Sequence, residues 1–169
     1  MKKKHLFVAA AVAIAALIGG LILMYNLPLD LHKRTPLQPL PFSHKKHAGD
    51  DGIHCLFCHR SAAKSPRAGI PAVSFCMKTC HPAFNFKVTE LEAYGKKNEP
   101  IPWVRVYSLP DHVYFPHMMH VRAGLNCTAC HGDVASMDLV TRVADLKMGW
   151  CLDCHKQKQV SIDCWTCHI

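Results

Sequence analysis

The chain has 169 residues, enough for one domain and an appendage. Hydrophobic residues make up 50% of it, but much of that sits in one N-terminal block and ten of the residues counted are Cys. The remainder is too poor in branched aliphatics to build an ordinary side-chain core. A formal net charge of +8 would suit nucleic acid, a class that the arrangement of the cysteines excludes.

Met1-Lys2-Lys3-Lys4-His5 precedes an uncharged apolar run from Leu6 to Tyr25. Twenty residues at helical rise cover about 30 Å, the thickness of a bilayer's hydrocarbon core. The lysines before the run keep that end in the cytoplasm. The run is longer than a signal-peptide core, and no A-x-A site closes it. Residues 1–26 therefore read as an uncleaved signal anchor, a single transmembrane helix, rather than a cleaved signal peptide. Either way the rest of the chain lies on the periplasmic side of a bacterial cytoplasmic membrane. Residues 27–41 hold Pro28, Pro36, Pro39 and Pro41 and predict an extended tether.

Residues 42–169 contain all ten Cys, in five pairs each followed at once by His. The pairs are Cys55 and Cys58 before His59, Cys76 and Cys80 before His81, and Cys127 and Cys130 before His131. Cys151 and Cys154 precede His155, and Cys164 and Cys167 precede His168. C-x-x-C-H is the attachment pattern of c-type haem. The two thiols add to the porphyrin vinyl groups, and the following His ligates iron through a neutral imidazole. Zinc knuckles pair up two per metal and leave the five His unexplained. A disulfide scaffold leaves them equally idle. The pattern predicts five covalent haems, the second held by a motif with three residues between its Cys instead of two. Each haem carries two propionates, so the basic balance compensates those charges rather than a nucleic acid backbone.

The haem domain repeats itself. Phe42-Ser43-His44-Lys45-Lys46-His47 precedes the first two motifs, and Phe115-Pro116-His117-Met118-Met119-His120 precedes the third and fourth. From the first His of each hexapeptide to the next Cys is 11 residues in one copy and 10 in the other. This divides the domain into a repeat over 42–81, a connector over 82–114 and a repeat over 115–169. In the connector, Trp103 to Tyr107 alternates like a short strand. Residues 134–148 predict a short helix, and short helices ending at the motifs make up the rest. The fold class is mainly α with much irregular structure, two tandem haem modules behind one membrane helix.

An iron bound by its motif His has one open face, and what fills that face decides between electron transfer and chemistry. His44 and His47, and likewise His117 and His120, stand three apart on a helical turn and project from one side. Each pair reaches two neighbouring irons. His32 in the tether and His54 beside Cys55 read as ordinary surface residues. For the fifth iron Met148, three residues before Cys151, is the first choice and His112 the second. A ligand for every iron leaves no place for substrate, so the domain conducts electrons and has no catalytic site of its own. A domain of about 126 residues has a radius of gyration near 14 Å, which forces the haems close together. The porphyrins then act as the missing core.

Several stretches resemble the pentahaem cytochrome c subunit of bacterial alternative complex III. They are 42–59, Ala68-Gly69-Ile70-Pro71, Pro102-Trp103-Val104-Arg105-Val106, Leu109-Pro110-Asp111 and Met148 through His155. More loosely, the chain is similar to class III cytochromes c3 and c7, which share the F-x-H-x-x-H before C-x-x-C-H. That likeness implies that His44 serves the haem at Cys55–His59 and that His47 serves another. The first resemblance implies a role in a quinol-oxidising membrane complex. Electrons would come from an iron–sulfur subunit beside integral-membrane subunits and pass to a periplasmic cytochrome c, a copper protein or a terminal oxidase. The main alternative is the cytochrome subunit of a related quinone reductase complex, with opposite flow. A multihaem reductase of a small oxyanion and a free-standing quinol dehydrogenase rank lower.

Overall fold

The computed structural model describes residues 2–85 and 87–169, the side chains of residues 2, 3, 6 and 25–34 excepted. Helix α1 spans Lys2–Arg34. Within it, Phe7–Met24 is long and apolar enough to cross a membrane and is nowhere buried against the rest of the chain. This one N-terminal apolar helix is a signal sequence or a single membrane anchor. The backbone stays helical through Arg34, so the first half of the proline-rich stretch is not the extended tether expected from residue 27. A proline removes one helical N–H donor and bends a long helix more readily than it ends one. The His32 side chain falls outside the described residues.

From Thr35 the chain is irregular and pinned sideways to the connector and the second repeat. Thr35 Oγ1 and Thr141 Oγ1 are 2.9 Å apart. Gln38 bonds both backbone groups of Val104, donating from Nε2 to its carbonyl at 2.9 Å and accepting its N–H at 2.9 Å. That contact explains why Trp103–Tyr107 forms no strand: a side-chain amide takes the partners a ladder would need. Among the described residues the single β-bridge joins Val113 and His168.

The remaining elements are short. They are α2 (Cys55–Cys58), α3 (Val73–Phe75), α4 (Thr89–Lys97), α5 (His117–Arg122), α6 (Thr128–His131), α7 (Met148–Gln157) and α8 (Cys164–Cys167). Two π-helical turns, Lys45–Asp50 and Cys76–Cys80, and a 3₁₀ turn at Val134–Ser136 complete the set. The helix expected over 134–148 is reduced to that 3₁₀ turn. Val140, Thr141 and Val143 are β-branched and disfavour helix, and the backbone here is bonded elsewhere, as in Val143 N–H to the Tyr107 hydroxyl at 3.2 Å.

The two repeat copies meet directly. The Lys45–Asp50 turn lies against Val134–Ser136, with Lys45 N–H donating to the Met137 carbonyl at 2.9 Å and Ser43 Oγ to Asp138 at 2.7 Å. Gly49 faces the Ala135 carbonyl so closely that a Cβ would collide with it. Side-chain burial is slight. Among the described residues Leu40, Ala62, Val73, Leu91 and Ala144 are the buried hydrophobics, and no large side chain is fully enclosed. Leu40, Val73 and Leu91 cluster beneath Met77, Tyr94 and Trp103. The accessible surface is 12,995 Å², against about 8,300 Å² for a compact chain of this size. The projecting α1 supplies part of the excess and the thin core the rest. Side chains alone do not fill this domain.

Candidate haem sites

Each Cys pair is presented by a helical turn: α2, the Cys76–Cys80 turn and α8 begin at the first Cys, α7 begins three residues before it, and Cys127 is the N-cap of α6. In three motifs the backbone N–H of the motif His returns to the carbonyl of the first Cys by an i→i+4 bond. These are His59 to Cys55, His131 to Cys127 and His168 to Cys164, each at 2.9 Å. The motif with the extra residue closes differently: His81 N–H reaches the Cys76 carbonyl at 3.3 Å, an i→i+5 bond. The π-turn over Cys76–Cys80 absorbs the added residue, as π-bulges do. His81 thereby keeps the relation to its first Cys that the other motifs have.

The five motif histidines each face a second imidazole. His44 lies opposite His59 with ring centroids 6.4 Å apart, and His47 opposite His81 at 6.4 Å. His117 lies opposite His131 at 6.3 Å, and His120 opposite His155 at 6.2 Å. The fifth pair is His112 with His168, at 5.7 Å and 16° from parallel. One iron between two imidazoles needs two bonds of about 2 Å plus about 1 Å from each nitrogen to its ring centre, about 6 Å in all. The pairs fit a metal held on both faces.

The ring nitrogens agree with that fit. Nδ1 of His59 lies 2.7 Å from the Gly69 carbonyl, Nδ1 of His155 2.7 Å from that of Ser161, and Nδ1 of His168 3.3 Å from that of His112. On the facing side, His47 bonds the Ser43 carbonyl at 2.8 Å, His117 that of Ala62 at 3.1 Å and His120 that of Pro116 at 3.2 Å. A carbonyl only accepts, so in each of these rings the proton sits on Nδ1 and Nε2 keeps a free lone pair. Burial, then His59, then His47, lowers the pKa of His44 to about 4. Burial, then His117 and His59, lowers that of His131. Both imidazoles stay neutral at physiological pH, the form that binds metal.

The phenylalanine that opens each repeat has a use that sequence reasoning overlooked. Phe42 stacks on His47 at 4.4 Å and meets His44 edge-on at 4.9 Å. Phe115 stacks on His120 at 4.3 Å and meets His117 edge-on at 6.0 Å. The recurrence of Phe two residues before the first His was the available signal. Tyr107 sets its ring edge against His131 at 4.5 Å. His54 caps α2, its Nδ1 accepting the Leu56 N–H at 3.2 Å.

Met148 does not take the place expected of it. It opens α7 with 60% of its surface exposed, while the imidazole opposite His168 is that of His112. The Val113–His168 bridge and the Ile169 N–H bond to the His112 carbonyl hold the two chain segments side by side. A one-turn offset from Cys151 is no substitute for that long-range pairing.

The ten Cys form no disulfide. Burial raises the Cys58, Cys76, Cys127, Cys130 and Cys151 thiols above their usual range, with a Cys of another motif among the further causes each time.

Paired thiols, an adjacent His and a facing imidazole, repeated along one chain with little side-chain core, define a multihaem c-type cytochrome with several covalent haem c groups. The family of cytochrome c7 and related cytochrome c matches residues 113–169. The multihaem cytochrome c subunit of menaquinone reductase from Nitratidesulfovibrio vulgaris (strain Hildenborough) is 29% identical over 161 residues, 78% of this chain and 76% of that protein. The chain is thus a multihaem c-type cytochrome that transfers electrons, mostly helical and irregular, whose residues 113–169 are similar to the c7 family.

Proposed function

We propose that the chain carries five covalent haems and serves as the cytochrome subunit of a quinone-linked respiratory complex. Residues 42–169 form the haem domain, with repeats over 42–81 and 115–169. Each site takes its two thioethers from one Cys pair and one axial ligand from the His that follows. The opposite ligands are His44, His47, His117, His120 and, in place of Met148, His112. The observation that carries this reading is the five facing imidazole pairs at 5.7–6.4 Å.

When bound, haem c supplies one-electron iron chemistry, with axial ligands and surroundings setting the potential. The chain's own residues hold it in place. Nδ1–H bonds to backbone carbonyls fix the tilt of the His47, His59, His117, His120, His155 and His168 rings, and Phe42 and Phe115 brace the second His of each repeat. With an imidazole for both faces of every iron, no coordination position remains for an oxyanion. Electron transfer is then the whole task of the subunit.

The direction follows the relative whose name is menaquinone reductase: electrons pass from periplasmic carriers through this subunit toward the quinone pool. This reverses the flow implied by the likeness to alternative complex III. The haem domain stands on the periplasmic side, held by α1, beside iron–sulfur and integral-membrane subunits. Extraction in mild detergent, with co-purifying subunits identified by mass, provides the complex for the test. The expected result is reduction of a menaquinone analogue by electrons from reduced cytochrome c. A complex that only oxidises quinol would restore the opposite direction.

A further inference from the structure

We infer that the five attachment sites form one unbranched row in an order different from the chain. The Cys76–Cys80 site stands at one end, followed by Cys55–Cys58, Cys127–Cys130, Cys151–Cys154 and finally Cys164–Cys167. The inference rests on the five-haem reading and goes beyond it, because motif 1 becomes the junction between the copies and motif 2 a terminus.

The first two sites share a wall. His44 and His47 lie three residues apart and face His59 and His81 respectively. Phe57 of the first motif meets Phe75, just before the second, at 5.4 Å, and the Arg60 guanidinium lies over both rings at 5.7 and 4.5 Å. In the same way His117 and His120 on α5 tie the third site to the fourth.

The junction between copies is built on the loop that leaves the first motif. His117 N–H donates to the Pro66 carbonyl at 3.2 Å and Met118 N–H to that of Ser65 at 3.1 Å. His117 Nδ1 donates to the Ala62 carbonyl at 3.1 Å, and Arg122 Nε to that of Ala63 at 2.9 Å. The helix facing the third motif is therefore seated on residues 62–66, immediately after His59. Beyond the fourth motif, His155 Nδ1 reaches the Ser161 carbonyl at 2.7 Å, three residues before Cys164. The second motif instead borders the Leu40, Val73 and Leu91 cluster, which Cys76 and Met77 cover.

In a row the two end sites are where outside partners exchange electrons, and the ends here are the π-turn motif and the C-terminal motif. The latter leaves Trp165 and Ile169 exposed at 86% and 81%.

Iron positions in crystals of the full-length holoprotein, located by anomalous scattering at the iron edge, test the order. The expected result is five irons, with the His59 iron closer to the His131 iron than the His81 iron is to any iron of the second copy. The iron of His168 should have that of His155 as its nearest neighbour. A His81 iron nearest to the second copy, or a branched arrangement, overturns the order while leaving the five-haem reading intact. Fewer than five irons overturns the five-haem reading itself.

Discussion

His112 and His168 face each other across 5.7 Å with their ring planes 16° from parallel, although 56 residues separate them. Two backbone contacts hold the pair, the Val113–His168 bridge and Ile169 N–H to the His112 carbonyl. The C-terminal motif therefore receives its second imidazole from the connector between the repeats.

That pairing predicts opposite outcomes for two substitutions. His112→Ala opens one haem of the holoprotein, so that one of five binds carbon monoxide and turns high-spin in the ferric state. Met148→Leu leaves the redox titration and the low-spin spectrum as they are. A drop in the highest potential on replacing Met148 would return thioether ligation to the fifth site.

The π-turn at Cys76–Cys80 predicts that the second motif carries haem despite its added residue. Intact-mass measurement of the wild-type holoprotein should show five haems. Cys76→Ala combined with Cys80→Ala should remove the mass of one. An unchanged mass would mean that the second motif is empty in the native protein.

Gly49 lies where the Lys45–Asp50 turn meets the Ala135 carbonyl, which is backbone and cannot swing away. Gly49→Ala forces the two copies apart. The cost expected for such overpacking is about 1–3 kcal/mol, read as a lower midpoint in thermal or denaturant unfolding of the holoprotein. Unchanged stability would show that the interface between copies yields.

Tyr107 holds two things at once, its ring edge on His131 and its hydroxyl on Val143 N–H. Tyr107→Phe keeps the ring and loses the hydrogen bond, a loss of about 0.5–1.5 kcal/mol, with the haem count and visible spectrum unaltered. A changed spectrum would place the hydroxyl in the haem environment rather than in the connector.

With five buried hydrophobics among the described residues, the polypeptide by itself lacks the apolar burial that folding requires. Chain produced without haem attachment should therefore lack cooperative unfolding and show little helix beyond α1 in circular dichroism. A cooperative transition in haem-free protein would reveal a core made by side chains.

Attachment chemistry was legible in the sequence because it is local. Two thiols and an imidazole within five or six residues need only one helical turn to converge, and the pentapeptide carries that turn with it. The apolar N-terminal block and the duplicated F-x-H-x-x-H were legible for the same reason, since length and spacing define them. The extra residue in the second motif was visible too, but its closure by an i→i+5 bond belongs to backbone geometry. Pairing over long range was not legible. The facing of His112 and His168, the seating of α5 on residues 62–66, and the Gln38 amide that occupies Val104 all depend on segments brought together from afar. No residue spacing encodes those encounters, because they are set by how the copies pack around groups far larger than any side chain.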